Sequence, residues 1–143
     1  MRERRLFTAD EVDRLIPRLT ELMEAAIERH GQALALQERL REDRARVAAS
    51  GGERLDARDW KARAERLDGL AIEVRQIAQE VSGLGGVIKD LEMGLVDFPG
   101  RGPGRGPAER DGEIVNLCWK LGEDAVRFWH GLDEGYARRK PLP

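Results

Sequence analysis

Residues 83–98 read GLGGVIKDLEMGLVDF. Upstream of Gly83-Leu84-Gly85-Gly86 the apolar residues recur every three or four positions. Downstream they come in short runs, Val87-Ile88 and Leu95-Val96-Asp97-Phe98, and then alternate from Ile114 to Leu121. Helices therefore come first and strands after, which is the order of an α+β protein that is mainly α.

Working back from the glycines, Trp60, Leu67, Leu70, Val74, Ile77, Val81 and Leu84 form a near-heptad seam with Arg63 as its polar member. Ser50-Gly51-Gly52 separates this segment from an earlier one. There Val12, Leu15, Leu19, Leu22 and Ala26, then Ala33, Leu36, Leu40 and Val47, keep the same spacing, broken by Arg29 and Asp43. Thr8-Ala9-Asp10-Glu11 is a capping box: the Thr8 hydroxyl accepts from the Glu11 N–H while the Glu11 carboxylate reaches back to Thr8. Pro17 lacks an N–H and crowds the preceding turn, so the pattern predicts a short helix at 9–15, a break, and a long helix at 17–48. The segments 17–47 and 55–84 match in length, each about 45 Å as helix, and should pair as an antiparallel, coiled-coil-like hairpin over 8–84. One shared seam leaves Ile16, Met23, Ile27, Leu34 and Ile72 outside it, to be covered by the C-terminal part or by a second copy.

Working forward, short strands are expected within 87–121. In the last of them Val115, Leu117, Trp119 and Leu121 share one face, and Ile114, Asn116, Cys118 and Lys120 the other, so Trp119 should point into the core and Cys118 away from it. Between the strands Gly100-Arg101-Gly102-Pro103 repeats as Gly104-Arg105-Gly106-Pro107, too poor in apolar residues to order itself, which predicts a mobile loop over 99–112. Asp111-Gly112 supplies the turn back into the strand. A C-terminal helix is expected at 123–136, with Phe128, Leu132 and Tyr136 on one stripe and His130, Asp133 and Glu134 on another. The whole chain, 1–143, reads as a single domain.

Composition narrows the function. Of 143 residues 36% are charged and 5% aromatic, with 25 basic against 27 acidic side chains and a net charge of −2. That balance suits long charged helices and argues against a nucleic-acid binder, which segregates its basic residues. No apolar run reaches the length of a signal peptide or a membrane span. With one cysteine there is no internal disulfide, and a cytoplasmic location is expected.

Gly94-Leu95-Val96-Asp97-Phe98-Pro99, Leu117-Cys118-Trp119-Lys120-Leu121-Gly122-Glu123, Trp129-His130 and the closing Gly135-Tyr136-Ala137-Arg138-Arg139-Lys140-Pro141-Leu142 resemble a bacterial family of small proteins, the domain-of-unknown-function family numbered 2203. The start, Phe7-Thr8 with the Leu-Ile-Pro stretch at 15–17, is similar as well. The resemblance spans nearly the whole chain but implies no activity. The Gly-Arg-Gly-Pro repeat exceeds the shorter loop associated with the family.

Residues 116–130, NLCWKLGEDAVRFWH, hold the only cysteine, two of three tryptophans and one of two histidines. Asp97, beside Cys118 if their strands pair, can form a pocket with Cys118 and with His130 folded back over them. A thiolate, an imidazole and a carboxylate, with Asp133 or Glu134 as fourth ligand, suit zinc or another divalent metal. No CxxC, HxxxH or HExxH spacing supports this independently. The structural alternatives are a small apolar role for Cys118, a cap or Glu134 ion pair for His130, and a salt bridge from Asp97 to Arg139 or Lys120. A Cys118/His130 nucleophile pair requires a lowered thiol pKa that nothing in the sequence provides. Trp119 and Trp129 read as core, His30 as solvent-facing, and the Arg101, Arg105, Arg110 and Arg138-Arg139-Lys140 excess as blunted by Glu109, Asp111 and Glu113. Two functions lead, with nucleic-acid binding through the Arg loop, which would show as a steep salt dependence, as a third. The first is a non-enzymatic assembly protein, a homodimer or the binder of a partner helix through its hairpin faces. The second is a metal-binding or catalytic protein centred on Asp97, Cys118 and His130.

Overall fold

The computed structural model describes residues 5–50, 56–101 and 113–143. Most of the expected loop 99–112, with its repeat, Arg105, Arg110 and the Asp111-Gly112 turn, lies outside them, as do Gly51-Gly52. Helices α1 (Ala9–Ser50) and α2 (Ala57–Leu84) are followed by strands β1 (Val87–Asp90), β2 (Leu95–Arg101), β3 (Ile114–Lys120), β4 (Phe128–His130) and β5 (Lys140–Pro141). All neighbouring strands pair antiparallel, in the order β1-β2-β3-β4-β5. Two long packed helices and a five-stranded sheet thus make up an α+β fold.

The capping box forms as expected: Thr8 N–H donates to Glu11 Oε1 at 2.9 Å and Glu11 N–H to Thr8 Oγ1 at 3.1 Å. The break at Pro17 does not form, and α1 runs through it for 42 residues. Pro17 is exposed, while Val12, Ile16, Leu19, Leu22 and Met23 on both sides of it are buried in one core. Their shared burial outweighs the roughly 3 kcal/mol that an internal proline costs a helix. The two helices consequently differ in length, 42 against 28 residues, and Val12 and Ile16 in the first turns of α1 share one core with Val96, Phe98 and Trp119 of the sheet. Asp56, absent from the sequence-based expectations, caps α2 by accepting from the Arg58 and Asp59 N–H groups. Gly85, at φ 104°, ends α2 in the left-handed region that favours glycine.

In the outer hairpin two of the three polar breaks, Asp43 and Arg63, meet. Arg63 of α2 pairs with Asp43 of α1, which also holds Arg46 at 2.7 Å, while Asp59 binds the other side of Arg63. Arg29 faces Glu73 at 3.3 Å.

One face of the sheet packs on the helices through Val96, Phe98, Val115, Leu117 and Trp119, so Trp119 points into the core as predicted. The C-terminal part covers Ile16 and Met23, whereas Leu34 and Ile72 are 46% and 49% exposed. Phe7 ties the start of α1 to the sheet: its N–H donates to the Pro99 carbonyl at 2.7 Å and its ring meets Phe98 edge-on.

No helix forms at 123–136. Phe128–His130 extends the sheet along β3, and only Tyr136–Arg138 makes a short 3-10 turn. The stripe Phe128, Leu132, Tyr136 fits a helix by coincidence, since Leu132 is 53% exposed. Gly131 and Gly135 weaken a helix there, and the open edge of β3 offers Phe128-Trp129-His130 a ladder instead.

The Leu-Gly-Glu and Ala-Arg-Arg-Lys-Pro motifs explain each other. Gly122, at φ 103°, turns the chain after β3, and Glu123 Oε1 accepts from the Lys120 N–H at 2.7 Å. The other Glu123 oxygen binds Arg139 at 2.6 Å, and Arg139 lies over the Phe128 and Tyr136 rings at 3.9 and 4.9 Å. This clamp holds the C-terminal segment against the sheet.

Candidate metal centre

The second face of the sheet, turned from the helices, is also buried. Asp97 on β2 stands directly opposite Cys118 on β3, and Asn116, two residues earlier on the same face, stands opposite His130 on β4. The antiparallel register thereby puts all three candidate residues on one face. Asp97, Cys118 and His130 are 2%, 1% and 3% exposed, and one ligand atom from each lies within 4.8 Å of the others. The sequence placed the trio correctly but put His130 on a helix; it reaches the site from a strand. Cys118 does point away from the helix-facing core, yet it is buried by residues beyond Gly131.

Burial of a carboxylate requires a partner. Arg139 is engaged by Glu123, and Lys120 lies over the Tyr136 ring; neither forms an ion pair with Asp97. His130 Nε2 stands 3.0 Å from Asp97 Oδ2, and no backbone N–H or side-chain hydroxyl among the described residues donates to either carboxylate oxygen. The other ring nitrogen, Nδ1, lies 2.9 Å from the Gly131 carbonyl oxygen. A carbonyl only accepts, so Nδ1 carries a proton and Nε2 is the ring nitrogen turned to the carboxylate. Positive charge belongs between these two atoms, and either a second ring proton, making an ion pair, or a metal cation supplies it. The Nδ1–H bond to a backbone carbonyl is also the outer contact that fixes the tautomer of a metal-binding histidine.

The Cys118 thiol is pushed up to about 12, first by burial and then by the Asp97 charge beside it. It is a thiol at neutral pH, so a Cys118/His130 nucleophile pair has no thiolate to work with. A cation bound here would stabilise a thiolate and the carboxylate together.

A cleft of about 270 Å³ opens onto the cluster, lined by Lys89, Asp90, Met93, Leu95, Glu134 and Tyr136 with the three buried residues. Of the two fourth ligands expected, Glu134 borders this cleft and Asp133 does not. Glu134 does not pair with His130: its Oε1 accepts from the Gly131 N–H at 2.8 Å and from Lys140 Nζ at 2.9 Å. Lys89 and Tyr136 had no signal in the sequence, because only the folded β1 and the turn at 136–138 bring them there. Trp119 and Trp129 are core or packed against it, and His30 is half-buried with Nε2 3.9 Å from Glu92. Among the described residues no helix is long and apolar enough to cross a membrane.

Nothing among the curated proteins or the solved structures matches the chain. The family motifs read from the sequence map onto the tightest parts of this architecture: Gly94 at φ 72° against Leu121, the paired Asp97 and Cys118, and the Glu123–Arg139 clamp. Residues 5–142 match the family model described as Uncharacterized conserved protein (DUF2203), and the chain belongs to that family.

Proposed function

We propose that the protein is a metal-binding protein that holds a divalent transition-metal ion, zinc foremost, on Asp97, Cys118 and His130. The observation that carries this reading is a carboxylate 2% exposed, to which no backbone N–H or side-chain hydroxyl among the described residues donates, set against the Nε2 of His130. A donor set of one sulfur, one nitrogen and one oxygen suits zinc, cobalt or iron better than magnesium or calcium, which prefer oxygen alone. A tetrahedral ion places its donors roughly 3.3–3.8 Å apart. The present donors lie within 4.8 Å of one another, so the cluster contracts to hold an ion.

The test is metal content by mass spectrometry on protein purified without an affinity tag, before and after dialysis against zinc, beside a Cys118→Ala/His130→Ala variant. Near one equivalent in the wild type, lost in a variant of unchanged helicity, supports the reading. A wild type that neither carries nor takes up metal overturns it.

A second reading, assembly through the hairpin, has its own observation. The outer half carries a groove lined by Leu40, Trp60, Ala64 and Leu67, with Arg44 stacked over the Trp60 ring, and Leu34 and Ile72 stand exposed nearby on the helices. A homodimer or a partner helix seated there is compatible with the metal site. Light scattering of the purified protein, with Trp60→Ala beside it, separates a monomer from a dimer built on this groove.

A further inference from the structure

We infer that the metal site is built to take a small organic monoanion, a carboxylate, with one carboxylate oxygen on the metal and Lys89 close to its charge. This rests on the metal reading above and assigns the ligand of that same site.

The first argument is the count of donors. Among the described residues the cluster has three ligand groups; the other carboxylates bordering the cleft fall outside it and each has one oxygen already held, Glu134 Oε1 by Gly131 and Lys140, and Asp90 Oδ1 by the Met93 N–H. A zinc site whose purpose is structural closes with four protein ligands, whereas three leave a position for a water or an exogenous ligand. Here that position faces a cleft and not packed side chains.

The second argument is charge. An Asp97 carboxylate and a Cys118 thiolate together cancel a dication, so the loaded centre is neutral. Lys89 lines the cleft with no ion pair or hydrogen bond to any described residue, and the Tyr136 hydroxyl likewise has no hydrogen-bond partner there. An unpaired ammonium and a free hydroxyl beside a neutral Lewis acid favour an anionic oxygen donor. Asp90 and Glu134 stand on the same rim, so a dianion such as phosphate meets repulsion that a monoanion partly escapes.

The third argument is shape. The cleft's volume falls below the roughly 300–1,000 Å³ of pockets for drug-sized ligands, and Met93, Leu95 and the Tyr136 ring supply apolar contact. A short aliphatic carboxylate fits these limits and a nucleotide does not.

The experiment uses the full chain loaded with cobalt(II), whose visible bands report coordination and whose near-ultraviolet thiolate charge-transfer band reports Cys118. Butyrate is titrated in, with phosphate at equal ionic strength as the comparison. The expected result is a saturable change in the visible bands with butyrate, weak or absent with phosphate, while the thiolate band persists. Lys89→Ala should retain one equivalent of cobalt and bind butyrate roughly tenfold more weakly, the effect of losing a partly shielded ion pair. Cobalt bound with its thiolate band but indifferent to butyrate overturns the inference and leaves the metal reading standing. A response to phosphate as strong as to butyrate, or an unchanged butyrate affinity in Lys89→Ala, also overturns it. Absence of the thiolate band on cobalt addition removes both.

Discussion

Asp97 is held in a place that disfavours it. A buried carboxylate whose one close partner is the His130 ring at 3.0 Å is expected to destabilise the metal-free protein, because its lost hydration is only partly replaced. Asp97→Asn removes the charge and gives the site an N–H₂ that can donate to His130 Nε2. The metal-free variant is therefore expected to be more stable than the wild type by about 1–3 kcal/mol, measured by denaturant unfolding in the presence of a chelator. Zinc should then raise the thermal midpoint of the wild type and leave the variant nearly unmoved, since a ligand stabilises only the form that binds it. An Asp97→Asn protein less stable than the metal-free wild type would mean that the His130–Asp97 pair is a favourable ion pair in its own right. At this scale the sequence was informative: a carboxylate between Val96 and Phe98 is conspicuous in any strand. Its partner was not legible, because Arg139 and Lys120 were equally available on paper and only the fold commits them to Glu123 and Tyr136.

Among the elements, the outer hairpin carries a mixed layer in its seam. The Asp43 and Arg63 side chains there are 14% and 23% exposed. Burial raises the Asp43 carboxyl, but hydrogen bonds from Arg63 and Arg46 outweigh it and hold the group below its ordinary 3.8. A carboxyl with a depressed folded-state pKa contributes stability above its unfolded value, and that contribution is lost as pH falls through the folded one. Acid titration below pH 3.8 should thus loosen the outer hairpin, seen as helicity lost earlier in the wild type than in a variant lacking the pair. Asp43→Leu or Arg63→Leu alone should lower the thermal midpoint, while the double change restores or exceeds it, because two apolar residues replace a pair that must otherwise be desolvated. A double variant no better than the worse single one would refute the pairing. Heptad spacing made the hairpin legible, including the two breaks, but not that they meet. Pro17 and the 123–136 stripe misled for a common reason: local rules weigh a segment by itself, and in both places burial against the sheet, or the sheet's open edge, outweighed them.

Across the whole molecule, the sheet is a partition with helices on one side and the candidate site on the other. The site side is closed by the C-terminal segment, and Arg139, 8% exposed, holds that segment through Glu123, Phe128 and Tyr136. Arg139→Ala is expected to destabilise the protein by about 3 kcal/mol, the scale for breaking a buried pair, and to weaken zinc binding while leaving the helical signal of the folded state intact. Unfolding curves and a competitive zinc titration check both, and an unaltered zinc affinity would show that the segment is not needed for the site. The sequence announced the change from helix to strand and the likeness of residues 94–142 to a known family. It could not announce the cleft, whose walls come from β1, the turn after it and the 136–138 turn. One further property follows from the way β2, β3 and β4 line up. Their three donors share a face only in the native alignment, and a slip of any one strand by a single residue turns its donor to the opposite side. An ion demanding all three would act as a proofreader of folding, captured by chains whose sheet has closed correctly and refused by those misaligned by one step.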